Sequence, residues 1–386
     1  MKLIYFTLED VSVYESQILE LLKYMQNYIE VVLVQGYKNS KEKDSLIRKL
    51  SNYKSIRYVW YKTYPLYQLF QYQTILNAKE ALLKEITDDS VIHVRGQVAG
   101  SFYKMMMRKY GLKTPAIIDV RGYPMEIDFV LKNAKTMKRK YLSVLHRRYF
   151  IYLNKILFSR DNLPLEITSV SPEINDYLKK EFPECKYKMC CHPNISGQRF
   201  VYSEELRKDI REKYNIKDNE ILAICSTGGN GIWQNDYKII PHLLNMGIKV
   251  INLSKLDYGL KNCITTTVPF QEMPAMLSAG DIAVLWREDT PTNTCASPSK
   301  FSEFATMGLY VIHNGTVRVS TDYIRQYNAG LIIKDVCDLH KIEINKKEVL
   351  ENRLTRSLSG IQNFGIDSLG KSYLARYRQM LENYVK

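Results

Sequence analysis

The sequence of 386 residues has no apolar run long enough for a transmembrane helix, which needs about 18 residues. Its first residues, MKLIYFTLED, lack the basic and long apolar regions of a secretory signal peptide. Its seven cysteines form no C-x-x-C pair, so neither a zinc knuckle nor a small disulfide-linked domain is expected. These absences predict a cytoplasmic protein with reduced thiols.

Acidic residues are absent from positions 131–160, where nine Lys or Arg residues stand among aliphatic and aromatic side chains. The basic residues are Lys132, Lys135, Lys138, Arg139, Lys140, Arg147, Arg148, Lys155 and Arg160. Such a segment can lie on an anionic membrane surface, it can bind nucleic acid, or its apolar residues can be core beside a solvated basic face. No nucleic-acid-binding motif accompanies it, so we expect no nucleic acid. We predict that this segment attaches the protein to the inner face of the cell membrane. The alternative, that its apolar residues belong to the core, stays open.

Short apolar runs alternate with helical patterns in both halves of the chain, beginning at Lys2–Phe6 and again at Ile221–Cys225. This rhythm is typical of open parallel sheets that carry helices on both faces. We therefore predict an α/β protein with two doubly wound domains. The first comprises 1–195 together with a C-terminal helix near 368–386, and the second comprises 196–367.

The segment CASPSKFSEFATMGLYVIHNG, 295–315, predicts a helix that leads into a buried strand. We expect the helix over 298–307 and strands over 282–286 and 309–313, with a loop over 287–296 after the first strand. This order describes a βαβ unit with a parallel pair of strands. Ligands of such units collect at the carboxyl ends of the strands and at the helix N-terminus.

The predicted helix carries its own start and stop signals. Ser297 and Ser299 are suitable N-cap residues, and Pro298 fits the first turn, where its missing N–H group has no cost. Gly308 is placed to end the helix in a left-handed conformation.

Three charged residues stand at the predicted ligand edge of this unit. Arg287 follows the first strand, Lys300 lies in the first turn of the helix, and Glu303 lies one turn further. The two cations and the helix N-terminus suit a pyrophosphate, while the carboxylate can accept hydrogen bonds from the two vicinal hydroxyls of a ribose. Spacing alone equally allows a solvated ion pair between Lys300 and Glu303.

The segment DIAVLWREDTPTNTCASPSKFSEFATMGLYVI, 281–312, resembles the donor-site segment of bacterial retaining glycosyltransferases of the GT-B fold, in the glycosyltransferase family 4-like group. Three other segments resemble these enzymes more loosely: ITSVSPEINDYLKKEF at 167–182, CHPNISGQRF at 191–200 and STGGNGIWQ at 226–234. The resemblance covers most of 90–315. It implies two Rossmann-like domains facing a cleft, with the acceptor bound by the N-terminal domain and a sugar nucleotide by the C-terminal one.

The resemblance also implies roles for individual residues. Glu303 matches the acidic residue that binds the donor ribose, and Lys300 and Arg287 match basic positions near the pyrophosphate. Further donor contacts are implied for the amides after Ser297 and Ser299 and for the glycine turn at Gly228 and Gly229. Two departures concern the donor sugar and its phosphates: Cys295 stands where many members carry a second glutamate, and the usual Arg and Lys after the glycine turn are missing.

Four residues at strand ends of the first domain are the catalytic candidates: His93, Arg95, Asp119 and Arg121. His93 can equally be a core histidine, and Asp119 and Arg121 can equally form a structural ion pair. No D-x-D motif stands in a suitable loop, so we expect no metal, no cofactor and retaining transfer assisted by the leaving phosphate. The expected acceptor is a lipid-linked saccharide or an oligosaccharide in bacterial surface polysaccharide synthesis, such as capsule or O-antigen.

Two alternatives from other functional classes remain. A sugar-nucleotide epimerase shares this two-domain architecture but needs no acceptor, and the basic segment at 131–160 argues against it. A non-catalytic protein that binds carbohydrate or nucleic acid would leave Lys300 and Glu303 without a task.

Overall fold

A computed structural model describes residues 1–8, 15–51, 53–64, 71–122, 126–133, 136–226, 235–342 and 344–384. The chain divides into two units, each with its own sheet. The N-terminal unit comprises Met1–Pro193 and Gly370–Lys386, and the C-terminal unit comprises Asn194–Leu369. The sequence predicts the corresponding breaks near 195 and 368.

The N-terminal unit is built on a seven-stranded parallel sheet. Its strands are β1 (Lys2–Thr7), β2 (Glu30–Tyr37), β3 (Arg57–Lys62), β4 (Ser90–Arg95), β5 (Ala116–Val120), β6 (Leu165–Ser169) and β7 (Lys188–Cys191). Their order across the sheet is β3-β2-β1-β4-β5-β6-β7. The central strands β1, β4, β5 and β6 are buried along their whole length, as strands covered on both faces are.

Helices connect these strands, and several begin at the caps that the sequence provides. They are α1 (Glu20–Met25), α2 (Ser40–Leu50), α3 (Gln71–Leu83), α4 (Gln97–Tyr110), α5 (Ile127–Lys132), α6 (Met137–Phe158) and α7 (Pro172–Glu181), with a π-helical turn at Glu15–Leu19 before α1. Helix α2 starts after Asn39, whose side chain accepts a hydrogen bond from the N–H group of Glu42. Helix α7 starts after Ser171, whose hydroxyl accepts from the N–H group of Ile174.

The C-terminal unit is built on a six-stranded sheet, again parallel throughout its described pairs. Its strands are β8 (Leu222–Cys225), β9 (Lys249–Leu253), β10 (Cys263–Thr266), β11 (Ile282–Leu285), β12 (Tyr310–His313) and β13 (Gly330–Ile332). Their order is β10-β9-β8-β11-β12-β13, so β11 lies between β8 and β12. Both sheets are therefore doubly wound, and the predicted α/β fold class is confirmed.

The remaining helices follow the same alternation. They are α8 (Glu204–Lys213), α9 (Ile240–Asn245), α10 (Met273–Ala279), α11 (Pro291–Thr294), α12 (Ser299–Thr306), α13 (Arg318–Tyr327), α14 (Lys346–Glu351), α15 (Arg353–Phe364) and α16 (Ile366–Tyr384). Short 3₁₀ turns lie at Asp236–Lys238, Phe270–Glu272 and Val336–Lys341. Helix α16 begins in the C-terminal unit, and its second half buries Tyr377 and Met380 in the N-terminal unit.

Helix α12 is held by a close backbone approach and by an arginine. A Cβ atom at Gly360 of α15 would lie 2.1 Å from the carbonyl oxygen of Ala305, so only glycine allows the two helices to pack this closely. The guanidinium of Arg353 donates to the carbonyl oxygen of Met307 at 3.1 Å. Gly308 adopts a left-handed conformation with φ of 68°, as the sequence predicts. The C-terminal end of α12 is therefore packed closely against α15.

Two elements depart from the regular alternation, and one departs from an expectation. Strand β7 is at the sheet edge and is only partly buried. A 3₁₀ turn precedes the short helix α9. The expected loop at 287–296 contains the short helix α11, which starts after the capping hydroxyl of Thr290.

The basic segment divides into an exposed half and a buried half. At the start of α6, Met137 is 82% and Tyr141 is 66% exposed. Toward its end, Leu153, Leu157 and Phe158 are buried, so the core interpretation holds for that part. Lys135 lies outside the described residues. Among the described helices none is both long enough and apolar enough to cross a membrane.

Candidate functional site

The parallel strands β8, β11 and β12 bring three chain segments to one edge of the C-terminal sheet. The carboxyl end of β8 leads to Ser226, that of β11 to Arg287, and that of β12 to Asn314. Helix α12 follows β11 through the short helix α11. Polar residues at these three ends therefore gather at the edge where ligands bind in doubly wound sheets.

Lys300 lies in the first turn of α12 and is directed at the end of β8. Its Nζ atom donates a hydrogen bond to the carbonyl oxygen of Ser226. Burial lowers the pKa of Lys300 to about 8, although the charges of Asp236 and Glu303 act in the opposite direction. The solvated ion pair that spacing alone allowed is wrong, because Glu303 is buried and the half-buried Lys300 donates to Ser226 instead.

Glu303 is 6% exposed, which is rare for a carboxylate. Burial raises its pKa to about 8, while Lys300 and Arg199 favour its charged form. Buried carboxyl groups beside cations are common where a protein binds a ligand or holds a proton. This environment fits a residue that receives hydroxyl groups.

Arg287 follows the end of β11, and its side chain is half-buried. Burial lowers its pKa, and the nearby carboxylate of Asp236 opposes that shift. Among the described residues its Nε atom has no hydrogen-bond partner. Lys300, Glu303 and Arg287 are thus brought into one charged group, as the sequence predicts from local spacing.

Asp236 is a member of this group that sequence reasoning missed. It is buried, and its Oδ1 atom accepts a hydrogen bond from the N–H group of Trp286 at 3.0 Å. Burial raises its pKa to about 6, against the N–H group of Trp286 and the charges of Arg287 and Lys300. No local signal in the sequence indicates its place, because its partner Trp286 lies 50 residues further along the chain.

The capping roles predicted for Ser297 and Ser299 are wrong. The residue before α12 is Pro298, and no side chain caps the helix. The hydroxyl of Ser297 instead accepts from the N–H group of Asn194 at 3.0 Å, and the Asn194 side chain donates to the Ser297 carbonyl oxygen. The first-turn amides of α12 consequently have no capping side chain. Donor contacts by the amides after Ser297 and Ser299 stay predictions.

Two further predictions at this edge have different outcomes. Gly228 and Gly229 lie outside the described residues, together with the rest of 227–234. Cys295 is described: it is buried and follows the last residue of α11. A thiol stands there in place of the carboxylate that the resemblance would supply.

The four candidates of the N-terminal unit also meet at one sheet edge. His93 and Arg95 belong to β4, Asp119 belongs to the neighbouring β5, and Arg121 follows it. Asp119 Oδ2 lies 3.3 Å from His93 Nε2, 3.4 Å from Arg121 Nη1 and 3.9 Å from Arg95 Nη1. Burial alone would raise the pKa of Asp119, but Arg121, His93 and Arg95 outweigh it and hold that pKa below its usual range.

His93 is fully buried at the centre of this group. Its ring stacks on Tyr5 with 4.6 Å between ring centroids, and its Nδ1 atom lies 2.7 Å from the hydroxyl of Tyr377. Its other ring nitrogen, Nε2, lies 3.3 Å from Asp119 Oδ2. Burial lowers the pKa of His93, which keeps the ring neutral.

The two arginines share a further partner. Gln17 Oε1 accepts from Arg95 Nη2 at 2.8 Å and from Arg121 Nη2 at 3.4 Å. Arg95 is almost fully buried, and Arg121 is partly exposed. The structure therefore assembles all four predicted residues into one network, while their catalytic role stays a prediction.

The described residues contain no group of three or more His, Cys, Asp or Glu side chains suited to a metal ion. The carboxylates of the two sites, Glu303 and Asp119, instead face cationic side chains.

Comparisons with solved structures identify the fold. A sucrose-phosphate synthase from Thermosynechococcus elongatus matches 99% of this chain and 100% of its own, with a TM-score of 0.66 and 11% identity. Anabaena HepE, solved in complex with UDP and also with UDP-glucose, matches 98% of this chain and 100% of its own, with a TM-score of 0.67 and 10% identity in the UDP complex. A glycosyltransferase from Rickettsia africae matches 99% of each chain, with a TM-score of 0.67 and 11% identity.

These matches span both units, so the chain has the GT-B fold of these proteins. A scan against protein-family models finds no match, and neither does a search of curated proteins. At identities near one in ten the likeness establishes the fold, and the activity has to be argued from the site.

Proposed function

We propose that the chain is a glycosyltransferase that takes a sugar from a nucleotide-sugar donor bound by the C-terminal unit. The observation that carries the proposal is the charged group formed at the carboxyl edge of the sheet by the half-buried Arg287 and Lys300 and the buried Glu303. HepE, which has the same fold, binds UDP and UDP-glucose, and this supports a uridine nucleotide as the first donor to test.

Each residue of the group has a task in this proposal. Glu303 accepts hydrogen bonds from the two ribose hydroxyls, which lets a buried carboxylate ionise. Arg287 and Lys300 bind the diphosphate, and Lys300 exchanges the carbonyl oxygen of Ser226 for a phosphate oxygen. The uncapped first turn of α12 adds N–H groups for the same anion. The diphosphate leaves as the glycosidic bond breaks, and these cations stabilise its developing charge.

We further propose retaining, metal-independent transfer within the family 4-like group, with no cofactor. Arg287 and Lys300 supply the positive charge that a divalent cation would otherwise supply to the leaving diphosphate. The leaving phosphate oxygen then accepts the proton of the acceptor hydroxyl as the new bond forms on the same face of the sugar.

The acceptor is assigned to the N-terminal unit, at the edge where His93, Arg95, Asp119 and Arg121 meet. Arg121 is the member of this group with exposed surface, so it is the one best placed to contact an acceptor. Asp119 and Gln17 hold the two guanidinium groups in place. In this proposal the buried His93 positions Asp119, and it contacts no substrate itself.

We propose a lipid-linked acceptor, met at the inner face of the membrane during bacterial capsule or O-antigen synthesis. The support is the exposed half of α6, where Met137, Tyr141, Leu142 and Leu145 stand beside basic residues. Lys138, Arg139 and Lys140 are exposed there too. An apolar surface flanked by cations fits the boundary of an anionic bilayer.

The test is incubation with UDP-, GDP-, dTDP- and ADP-sugars, with and without a polyprenyl-diphosphate saccharide. Nucleotide release that depends on the acceptor, together with a glycosylated acceptor, supports the proposal. Conversion of a sugar nucleotide without any acceptor would instead identify an epimerase. Binding without turnover of any donor, with every acceptor class tried, would identify a binding protein.

A further inference from the structure

The hydrogen-bonded ladder between β11 and β12 ends at Leu285 and His313, but side chains continue it for two residues. The ring of His313 donates from Nδ1 to the carbonyl oxygen of Leu285 at 2.7 Å. The amide of Asn314 then pairs with the backbone of Arg287: its Oδ1 atom accepts from the Arg287 N–H group at 3.3 Å, and its Nδ2 atom donates to the Arg287 carbonyl oxygen at 2.5 Å. The side chain of Asn314 thus imitates one more residue pair of a β-ladder.

Trp286, which lies between Leu285 and Arg287, forms its backbone hydrogen bonds on the other side of β11. Asn235 donates its N–H group to the carbonyl oxygen of Trp286 at 2.9 Å, and Asp236 accepts from the Trp286 N–H group at 3.0 Å. Every backbone polar group from the carbonyl of Leu285 to the carbonyl of Arg287 therefore has a partner. A strand end outside a sheet rarely needs so many side-chain contacts, because water ordinarily satisfies such groups.

Unlike the backbone of Arg287, its guanidinium group has a donor atom without a hydrogen-bond partner among the described residues. This donor is the Nε atom, and it is buried. A buried guanidinium donor without an acceptor is costly, so an anion that fills this place gains a preformed partner. The direction of the Arg287 side chain consequently depends on its backbone. That backbone is held by both Asn314 contacts, while the Thr316 hydroxyl donates to the Arg287 carbonyl oxygen at a longer 3.4 Å.

We propose that Asn314 is a positioning residue that holds Arg287 in place for the diphosphate of the donor. The inference rests on the proposed function, since it assigns Arg287 to the donor diphosphate. Asn314 touches no ligand in this account and acts through Arg287 alone. Its removal should therefore weaken the binding of a diphosphate but leave the binding of the nucleoside unchanged.

The test compares UDP and uridine as probes, measured by calorimetry on the full chain. Asn314→Ala should lower UDP affinity roughly tenfold, because a charge-assisted hydrogen bond is lost or misplaced. Uridine affinity should stay within about twofold of wild type, because the ribose contact through Glu303 is untouched. If the alanine variant does not fold, Asn314→Ser serves in its place, since a serine hydroxyl is too short to pair with both backbone groups of Arg287.

A double-mutant cycle separates positioning from general stability. In an Arg287→Ala background, Asn314→Ala should weaken UDP binding by less than about twofold, because the group it positions is already gone. The matched control is Asn345→Ala, which removes an asparagine whose side chain also accepts from backbone N–H groups, at the start of α14. That variant should bind UDP as wild type does.

The outcomes distinguish this inference from the proposed function. If wild type has no measurable affinity for UDP, the same comparison is made with GDP, dTDP and ADP and their nucleosides, and a wild type that binds none of the four overturns both. A wild type that binds UDP and loses affinity with Arg287→Ala, but not with Asn314→Ala, overturns the positioning role alone. Equal losses for UDP and uridine, or fully additive losses in the cycle, also overturn it.

Discussion

Lys300 and Glu303 lie one helical turn apart in α12, and burial brings the pKa of each to about 8 from opposite directions. Neither group is in its ordinary ionisation range, because both have been withdrawn from water more strongly than they stabilise each other. A ligand with hydroxyl groups and phosphates would relieve both, since it supplies donors to the carboxylate and negative charge to the ammonium. We therefore expect ligand binding and stability to depend on pH through Lys300 and Glu303.

Removal of the Glu303 carboxylate should weaken donor binding. In the proposed site Glu303→Ala loses two hydrogen bonds to a charged acceptor, each worth about 1.5–3 kcal/mol. Affinity for UDP should fall at least tenfold while the thermal unfolding transition stays cooperative. Calorimetry with UDP measures this. Glu288→Ala, which removes an exposed carboxylate after β11, is the matched control and should bind as wild type does. Unchanged UDP affinity in Glu303→Ala would remove Glu303 from the donor site.

Stability should depend on pH through the same residue. The folded-state pKa of Glu303 is raised from 4.5 to about 8, so its contribution to stability is complete below pH 4.5 and is lost as pH rises to about 8. The Glu303→Gln variant has no carboxyl group at this position to ionise, so it does not lose stability as pH rises. Its melting temperature relative to wild type should rise across that window, by about 2–4 °C for each kcal/mol.

Lys300 cannot account for that trend. Its folded-state pKa is lowered from 10.5 to about 8, so its contribution is complete above pH 10.5 and is lost as pH falls to about 8. The two windows meet near pH 8 and hardly overlap. A melting-temperature difference between Glu303→Gln and wild type that stays flat from pH 4.5 to 8 would contradict the raised pKa of Glu303.

The sequence indicated Arg287, Lys300 and Glu303 because local spacing places them: one follows a strand, and two share the first turns of a helix. Asp236 and Asn314 could not be found in this way. Asp236 contacts Trp286 because β8 and β11 are neighbours in the sheet. In the chain, β9 and β10 come between these two strands, so local spacing does not reveal the contact. The error at Ser297 has the same origin, since Asn194, more than a hundred residues earlier, takes the hydroxyl that local rules assign to a cap.

A buried lysine should stabilise the end of α6. Lys104 Nζ donates to the carbonyl oxygens of Leu157 and Ser159 at 2.8 and 2.7 Å and lies 3.1 Å from Asp161. Lys104→Met keeps most of the side-chain volume but leaves these acceptors unpaired. The free energy of unfolding should fall by about 2–3 kcal/mol. Urea denaturation measures the loss, and Lys113→Met, at an exposed position after α4, should change stability by less than about 0.5 kcal/mol.

Chelation should leave transfer intact. In the proposed mechanism Arg287 and Lys300 neutralise the leaving diphosphate, so no divalent cation takes part in the step. Initial rates of nucleotide release should be the same within about twofold before and after dialysis against EDTA. Loss of activity on dialysis, recovered with magnesium or manganese, would show that the side chains do not replace a metal.

The exposed half of α6 should bind anionic membranes. Met137, Tyr141, Leu142 and Leu145 can enter the interface there, and each nearby cation adds about 1 kcal/mol on anionic lipid. Replacing Lys138, Arg139, Lys140, Arg147 and Arg148 with Gln should release the protein from phosphatidylglycerol vesicles in a sedimentation assay. Raised salt should release the wild type too, because screening shortens the range of the attraction. Wild type should not sediment with neutral phosphatidylcholine vesicles.

The matched control removes as many positive charges from the C-terminal unit. Lys208, Lys213, Lys255, Lys261 and Lys347 are exposed, and their replacement with Gln should leave sedimentation unchanged. Equal release by both sets would mean that net charge alone drives binding, with no role for the apolar residues of α6. If wild type does not sediment at low salt, the lipid-linked acceptor loses its support and a soluble saccharide becomes the better substrate. Retention of the α6 variant on vesicles would place the membrane contact elsewhere in the chain.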